Sequence, residues 1–125
     1  IEARSDGDPA AAFAAAQEVF EATYEAPYLA HAALEPWSCT LERDAEGVLH
    51  LWAPCQAQDR FLAAAAEAAG IPQDKVRIHT TLLGGGFGRR LGADGVPGAV
   101  RTAMALDRPV KFFWRREDEM QQGWY

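Results

Sequence analysis

The sequence predicts an α+β fold in two layers, a mixed β-sheet of four or five strands with two main helices on one face and a β-α-β unit within it. Three observations carry that expectation. Residues 38–43 and 48–53 alternate apolar and polar side chains around Asp44-Ala45-Glu46-Gly47, a hairpin pattern with a glycine available for positive φ. Residues 58–69 place Phe61, Leu62, Ala65, Ala68 and Ala69 at helical spacing, and Gly70, Ile71 and Pro72 stop that helix. Val76-Arg77-Ile78-His79-Thr80-Thr81 then opens a strand over 76–83, which makes the helix a crossover between two parallel strands, of the right-handed kind.

The remaining elements follow in chain order. Residues 1–7 carry no ordering signal and are expected to fray. Asp8-Pro9 is a helix start, an acidic cap followed by proline at the first position, and the alanines up to Gln17 extend it for about two turns. Residues 19–24 read as a strand leading into loops around Pro27 and Pro36. On the second hairpin strand Leu49, Leu51 and Ala53 share one face, and His50 and Trp52 the other. His50 alone on a strand reads as a surface or core-edge residue rather than a ligand. Residues 96–107 form the second helix through Val100, Ala103, Met104 and Leu106, with a start weakened by glycines and Pro97. A strand over 110–114 follows, and Arg115-Arg116-Glu117-Asp118-Glu119 reads as a solvated, self-paired charge run in preference to a ligand contact.

Composition excludes several functions. At 125 residues the chain is one domain's worth, with no room for a second. The net charge is −6 and the twelve cations are dispersed, so nucleic acid is not an expected partner. The alanine-rich run 61–69 contains Glu67 and is too short to span a bilayer, so no membrane span is expected. Cys39 and Cys55 lack metal-site spacing and read as free, partly buried thiols. No protein side chain is expected to ligate a metal.

The densest functional signal is Leu82-Leu83-Gly84-Gly85-Gly86-Phe87-Gly88-Arg89-Arg90 at the end of a strand. Four glycines leave backbone N–H groups open to an anion and let the chain adopt positive φ, expected at Gly86 in particular, while the arginines add fixed charge beside them. The competing reading is a tight turn without a ligand. The run is not a Walker loop, because neither Lys nor Ser/Thr follows, and it is not G-x-G-x-x-G.

Four segments together resemble a known family. Gly84-Gly85-Gly86-Phe87-Gly88 resembles the pterin-cofactor loop of the xanthine oxidase family of molybdenum hydroxylases. Residues 24–36, Tyr-Glu-Ala-Pro-Tyr-Leu-Ala-His-Ala-Ala-Leu-Glu-Pro, are similar to the opening of its large molybdenum-binding portion. Trp52-Ala53-Pro54-Cys55-Gln56 resembles the strand end that brings a glutamine to the metal, and residues 108–118 resemble the family's Pro-Val-Lys strand and Arg-Glu-Asp turn. Arg89-Arg90 and the wording around Glu35-Pro36-Trp37-Ser38-Cys39 look most like the isoquinoline 1-oxidoreductase beta-subunit branch.

The resemblance implies hydroxylation of an aldehyde or N-heterocycle with oxygen from water, on molybdopterin with molybdenum, in the cytosine dinucleotide form. It implies that Gly84, Gly85, Gly86, Phe87, Gly88, Arg89 and Gln56 contact the cofactor. Gln56 and Phe87 would serve catalysis, the first by donating an amide hydrogen bond and the second as an apolar wall; without the resemblance Gln56 reads as a helix-capping or surface glutamine, and a core anchor for the loop is the other role open to Phe87. The family's catalytic glutamate belongs to a later segment, so residues 1–125 are expected to be one domain cut from a longer subunit, inactive and metal-free alone. The implied partners are the remainder of that subunit, an iron–sulfur subunit and a small-molecule substrate. Leu91 stands where purine-hydroxylating relatives carry a glutamate, which disfavours xanthine, and Gly95 and Gly98 depart from the family's usual helix start. A non-catalytic nucleotide- or anion-binding module, and a self-associating assembly segment, are the alternatives.

Overall fold

The computed structural model describes residues 3–123. Residues 1 and 2 of the stretch expected to fray lie outside the described residues. Helix α1 (Pro9–Ala15) starts as its cap predicts, with the Asp8 carboxylate accepting from Ala11 N at 3.0 Å. No strand forms over 19–24. Val19, Phe20 and Tyr24 are exposed and lie against no strand edge, and a lone strand leaves its ladder groups to water.

The hairpin forms as read, β1 (Ser38–Arg43) antiparallel to β2 (Leu49–Ala53), with Leu41 opposite Leu51. Helix α2 (Gln58–Ala69) ends at Gly70, whose φ of 66° is the left-handed stop that glycine accepts without strain. It returns the chain to β3 (Val76–Thr80), parallel to β2, completing the β-α-β unit. Thr81 N still donates to Ala53 O at 3.2 Å, but the ladder then ends because Pro54 continues the partner without an N–H, so β3 stops short of residue 83. Helix α3 (Val96–Leu106) leads to β4 (Val110–Phe113), which pairs antiparallel with β1. The sheet order is β3-β2-β1-β4.

Both main helices lie on one face of the sheet. Phe61, Ala65 and Ala66 of α2 and Val96, Ala99, Val100 and Ala103 of α3 close over Cys39, Leu41, Leu49, Leu51, Ala53 and Val76. Each large apolar side chain fully buried there contributes roughly 1.5–3 kcal/mol. Gly95 is required by this packing, because a Cβ on it would sit 2.7 Å from the ring of the buried Trp37. Both cysteines are free and buried, and burial pushes the Cys39 thiol up to about 12.

The opposite face carries His50, Trp52 and His79 in a stack, Trp52 and His79 with ring centroids 4.6 Å apart. His50 is a core-edge residue with partners on both ring nitrogens, Asp44 Oδ2 at 3.0 Å and His79 Nε2 at 2.9 Å.

The last charged run corrects the sequence reading. Arg115 and Asp118 do pair at the surface, but residues 116–121 form helix α4 (Arg116–Gln121) and Glu119 is buried. Charge alone does not reveal that one acid of three faces inward toward a cation supplied from far along the chain.

Candidate functional site

Because β2 and β3 are parallel, both discharge at the same edge of the sheet, where open α/β sheets hold their ligands. Gln56 follows β2 by three residues, and the 84–88 loop follows β3. They meet there. A Cβ on Gly86 would lie 2.5 Å from Gln56 Oε1. Gly86 does not adopt positive φ, contrary to the sequence expectation, so glycine is demanded at this position by the close approach of Gln56.

Positive φ falls instead at Gly85, Phe87 and Gly88, with φ of 100°, 51° and 93°. For Phe87 this is strained backbone, costing on the order of 1–3 kcal/mol. The ring is 73% exposed, so Phe87 is not a core anchor. It is an apolar group held at the surface by a strained loop.

Hydrogen bonding defines what the loop offers. Gly84 N donates to Glu35 Oε2 at 2.9 Å, Arg89 N to Gly86 O at 2.7 Å, Arg90 N to Gln56 Oε1 at 3.2 Å and Leu91 N to Gly88 O at 3.0 Å. Among the described residues, the N–H groups of Gly85, Gly86, Phe87 and Gly88 donate to no protein acceptor. Successive backbone N–H groups with left-handed residues among them are the arrangement found in anion-binding backbone concavities. Gln56 adds a fifth donor. Its own N–H donates to Arg90 O at 3.0 Å and its Oε1 accepts from Arg90 N, which leaves Nε2 for a ligand.

The two arginines do not face this opening. Arg89 is buried and grips Asp94 with two bonds of 2.8 Å, donates to Gln122 O at 3.1 Å and lies over Trp114. The Asp94 hydrogen bond holds its pKa above the ordinary guanidinium value. Arg90, wholly buried, donates to Glu119 at 3.2 Å and to Glu35 O at 2.7 Å, and burial lowers its pKa with Glu119 opposing. The positive charge that the sequence placed beside the glycines is therefore spent on internal partners, and the donors left open at this edge are the backbone N–H groups.

Glu35 and Glu119 are site residues that sequence reasoning missed. Glu35 was quoted only as part of a motif, yet its carboxylate and N–H both bind Gly84. Glu119 had no distinguishing signal among its acidic neighbours. A cleft of about 120 Å³ lined by Glu42, Arg43, Leu49 and Asp107 lies at the opposite end of the sheet and takes no part here.

This donor set of backbone N–H groups and one amide suits the anionic and oxo atoms of a pterin–phosphate group. Comparison with known proteins bears on the family of the chain as a whole. Molybdopterin cofactor-binding domains match residues 1–123. The chain is 36% identical over 111 residues to the membrane-bound aldehyde dehydrogenase (pyrroloquinoline-quinone) of Gluconacetobacter polyoxogenes, covering 88% of this chain and 14% of that protein. It is 34% identical over 100 residues to isoquinoline 1-oxidoreductase subunit beta of Brevundimonas diminuta, covering 80% and 12%. The CO dehydrogenase structure from Oligotropha carboxidovorans superposes with a TM-score of 0.64 at 28% identity, over 72% of this chain and 11% of that one. The chain thus spans a small part of the length of the relatives it matches. Among the described residues no helix is long and apolar enough to cross a membrane. By the family match across nearly its whole length, the chain belongs to the molybdopterin cofactor-binding domains of the xanthine oxidase family, whose members are molybdenum-dependent oxidoreductases.

Proposed function

We propose that residues 1–125 are one domain of a longer molybdenum hydroxylase subunit, and that this domain cradles the pterin cofactor on the 84–88 loop. The observation that carries the reading is the row of four unpaired N–H groups at 85–88 at the same sheet edge as the free amide of Gln56. When bound, the molybdenum–pterin group supplies the redox chemistry, taking two electrons as a carbon beside a heteroatom gains oxygen derived from water.

The chain's own residues bind and orient. Gly85, Gly86 and Gly88 donate main-chain hydrogen bonds, with Gly84 fixed behind them by Glu35. Gln56 Nε2 donates toward the reacting side, and Phe87 forms an apolar wall that excludes water. Arg89 anchors the loop from within through Asp94. Likeness to an aldehyde dehydrogenase and to an isoquinoline oxidoreductase subunit supports an aldehyde or N-heterocycle as substrate. The resemblance to the isoquinoline 1-oxidoreductase branch implies an iron–sulfur subunit as electron partner and the cytosine dinucleotide form of the cofactor, and the naming of that relative as a subunit fits a multi-subunit enzyme. The exposed Phe20, Tyr24, Tyr28 and Leu29 fit a surface covered by the rest of the subunit.

The test is to purify the intact protein and measure molybdenum, pterin and the nucleotide released on hydrolysis. Stoichiometric molybdenum with cytidine monophosphate supports the reading. Pyrroloquinoline-quinone in place of molybdenum, or a metal-free protein that binds free nucleotide, overturns it.

A further inference from the structure

Arg90 contacts residues from three other segments of the chain, Glu35, Gln56 and Glu119. Its Nη1 donates to Glu119 Oε1 of α4 at 3.2 Å, and its Nη2 donates to Glu35 O at 2.7 Å. Its main chain exchanges two bonds with Gln56, N to Oε1 at 3.2 Å and O from N at 3.0 Å. Glu35 in turn holds both backbone groups of Gly84, at 2.9 and 3.0 Å. The loop is therefore clamped at its entry by Glu35 and at its exit by Gln56, and Arg90 ties the two clamps together, its main chain on Gln56 and its guanidinium on Glu35. Glu119 is itself fixed, accepting from Trp37 N at 2.7 Å. Two more arginines bind the C-terminal segment to the same region, Arg116 to Leu34 O at 2.8 Å and Arg89 to Gln122 O at 3.1 Å.

We propose that the buried Arg90–Glu119 pair positions Gln56 and the mouth of the glycine loop, so that donor geometry at the site is set from α4. The inference rests on the cofactor reading above. The physical argument is one of orientation. A glutamine amide presents either a donor or an acceptor, and Gln56 presents Nε2 because Arg90 N occupies Oε1. That N–H is held in place only as firmly as the residue carrying it. Arg90 is held by a planar fork with two arms on different segments, an arrangement that a lysine ammonium does not reproduce. The charge requires Glu119, because an unpaired guanidinium at zero exposure is strongly destabilising. Without the brace, the Arg90 backbone is free to shift and the Gln56 amide to turn over. Arg90 and Glu119 are in this sense positioning residues, acting through Gln56.

The test is a double-mutant cycle in the intact protein. The paired replacement Arg90→Met with Glu119→Met removes both charges together, which buried pairs often tolerate. Turnover of isoquinoline and of benzaldehyde is measured with Gln56→Ala in both backgrounds, together with molybdenum content. The expected result is that Gln56→Ala costs roughly a hundredfold in the native background, the value of one oriented donor. In the paired variant the rate is already low and Gln56→Ala adds nothing further. A purely structural brace gives the same fold-loss for Gln56→Ala in both backgrounds, and that outcome overturns the proposal.

Arg90→Lys keeps the charge on Glu119 but lacks the second arm, and it decides the matter if the paired variant does not fold. Amide hydrogen exchange supplies a readout independent of turnover. Peptides covering 54–57 and 82–91 should exchange faster in Arg90→Lys, while those of the hairpin turn at 44–48 stay unchanged; equal protection in both regions overturns the brace. If Gln56→Ala is as active as the unaltered protein, the cofactor reading itself fails, and the exchange result still decides the brace.

Discussion

The chain makes two glycine-containing connections next to β2, and they use glycine for opposite ends. In the 44–47 turn the bend is closed by hydrogen bonds among its own residues and Val48. Asp44 N donates to Val48 O at 3.0 Å, Gly47 N to Asp44 O at 3.1 Å and Val48 N to Asp44 Oδ1 at 2.7 Å. Gly47 supplies a φ of 79° and nothing more. In the 84–88 loop four successive donors are left open, one left-handed position is filled by phenylalanine, and the support comes from residues far away in sequence. A turn that satisfies itself closes a hairpin. A loop braced from outside while its own N–H groups stay unpaired leaves those donors open at the sheet edge.

Substitutions sharpen that contrast, the most damaging first. Gly86→Val in the intact protein should abolish cofactor loading, because its Cβ would overlap Gln56 and close the cradle; molybdenum content near the native level would break the comparison. Glu119→Ala should destabilise the fold by roughly 3–5 kcal/mol, the cost of leaving a buried charge unpaired, as read from denaturant midpoints. Gln56→Ala should leave molybdenum content near normal while turnover falls roughly a hundredfold. Gly47→Ala should cost only about 1–2 kcal/mol of stability, the strain of a left-handed residue with a Cβ, and should leave metal content unchanged.

The smallest effect belongs to Asp44. The His50 hydrogen bond and, after it, the Val48 N–H hold its carboxyl below the ordinary carboxylate value. A depressed folded-state pKa contributes stability that is present above the unfolded value and is lost as pH falls through the folded one. Asp44→Asn should therefore lower thermal stability slightly at neutral pH, with the difference from wild type shrinking below about pH 4. A difference that grows on acidification would contradict the turn's self-sufficiency.

Legibility from the sequence divides along similar lines. Helix α2 was readable to its end residues because periodicity, a glycine stop and proline all act within one segment. The hairpin and its facing pattern were readable for the same reason, as was the placement of Gln56 and the glycine loop at one edge, which follows from the parallel connection. The strand read at 19–24 failed because a strand needs an edge to pair with, and aromatic, β-branched composition does not supply one. The arginines were read as charge facing a ligand, since sequence gives their sign but not their direction.

The local elements, their order and the family likeness were thus determined by the sequence itself, through interactions spanning a few residues. The tertiary structure alone decided that Arg89 and Arg90 turn inward, that Glu119 is buried, that Gly86 answers to Gln56 rather than to φ, and that Phe87 stands exposed. These depend on pairs up to 82 residues apart, such as Trp37 N with Glu119. Which partner a buried group finds is settled by the packing of the whole sheet and its helices, and no local pattern encodes it.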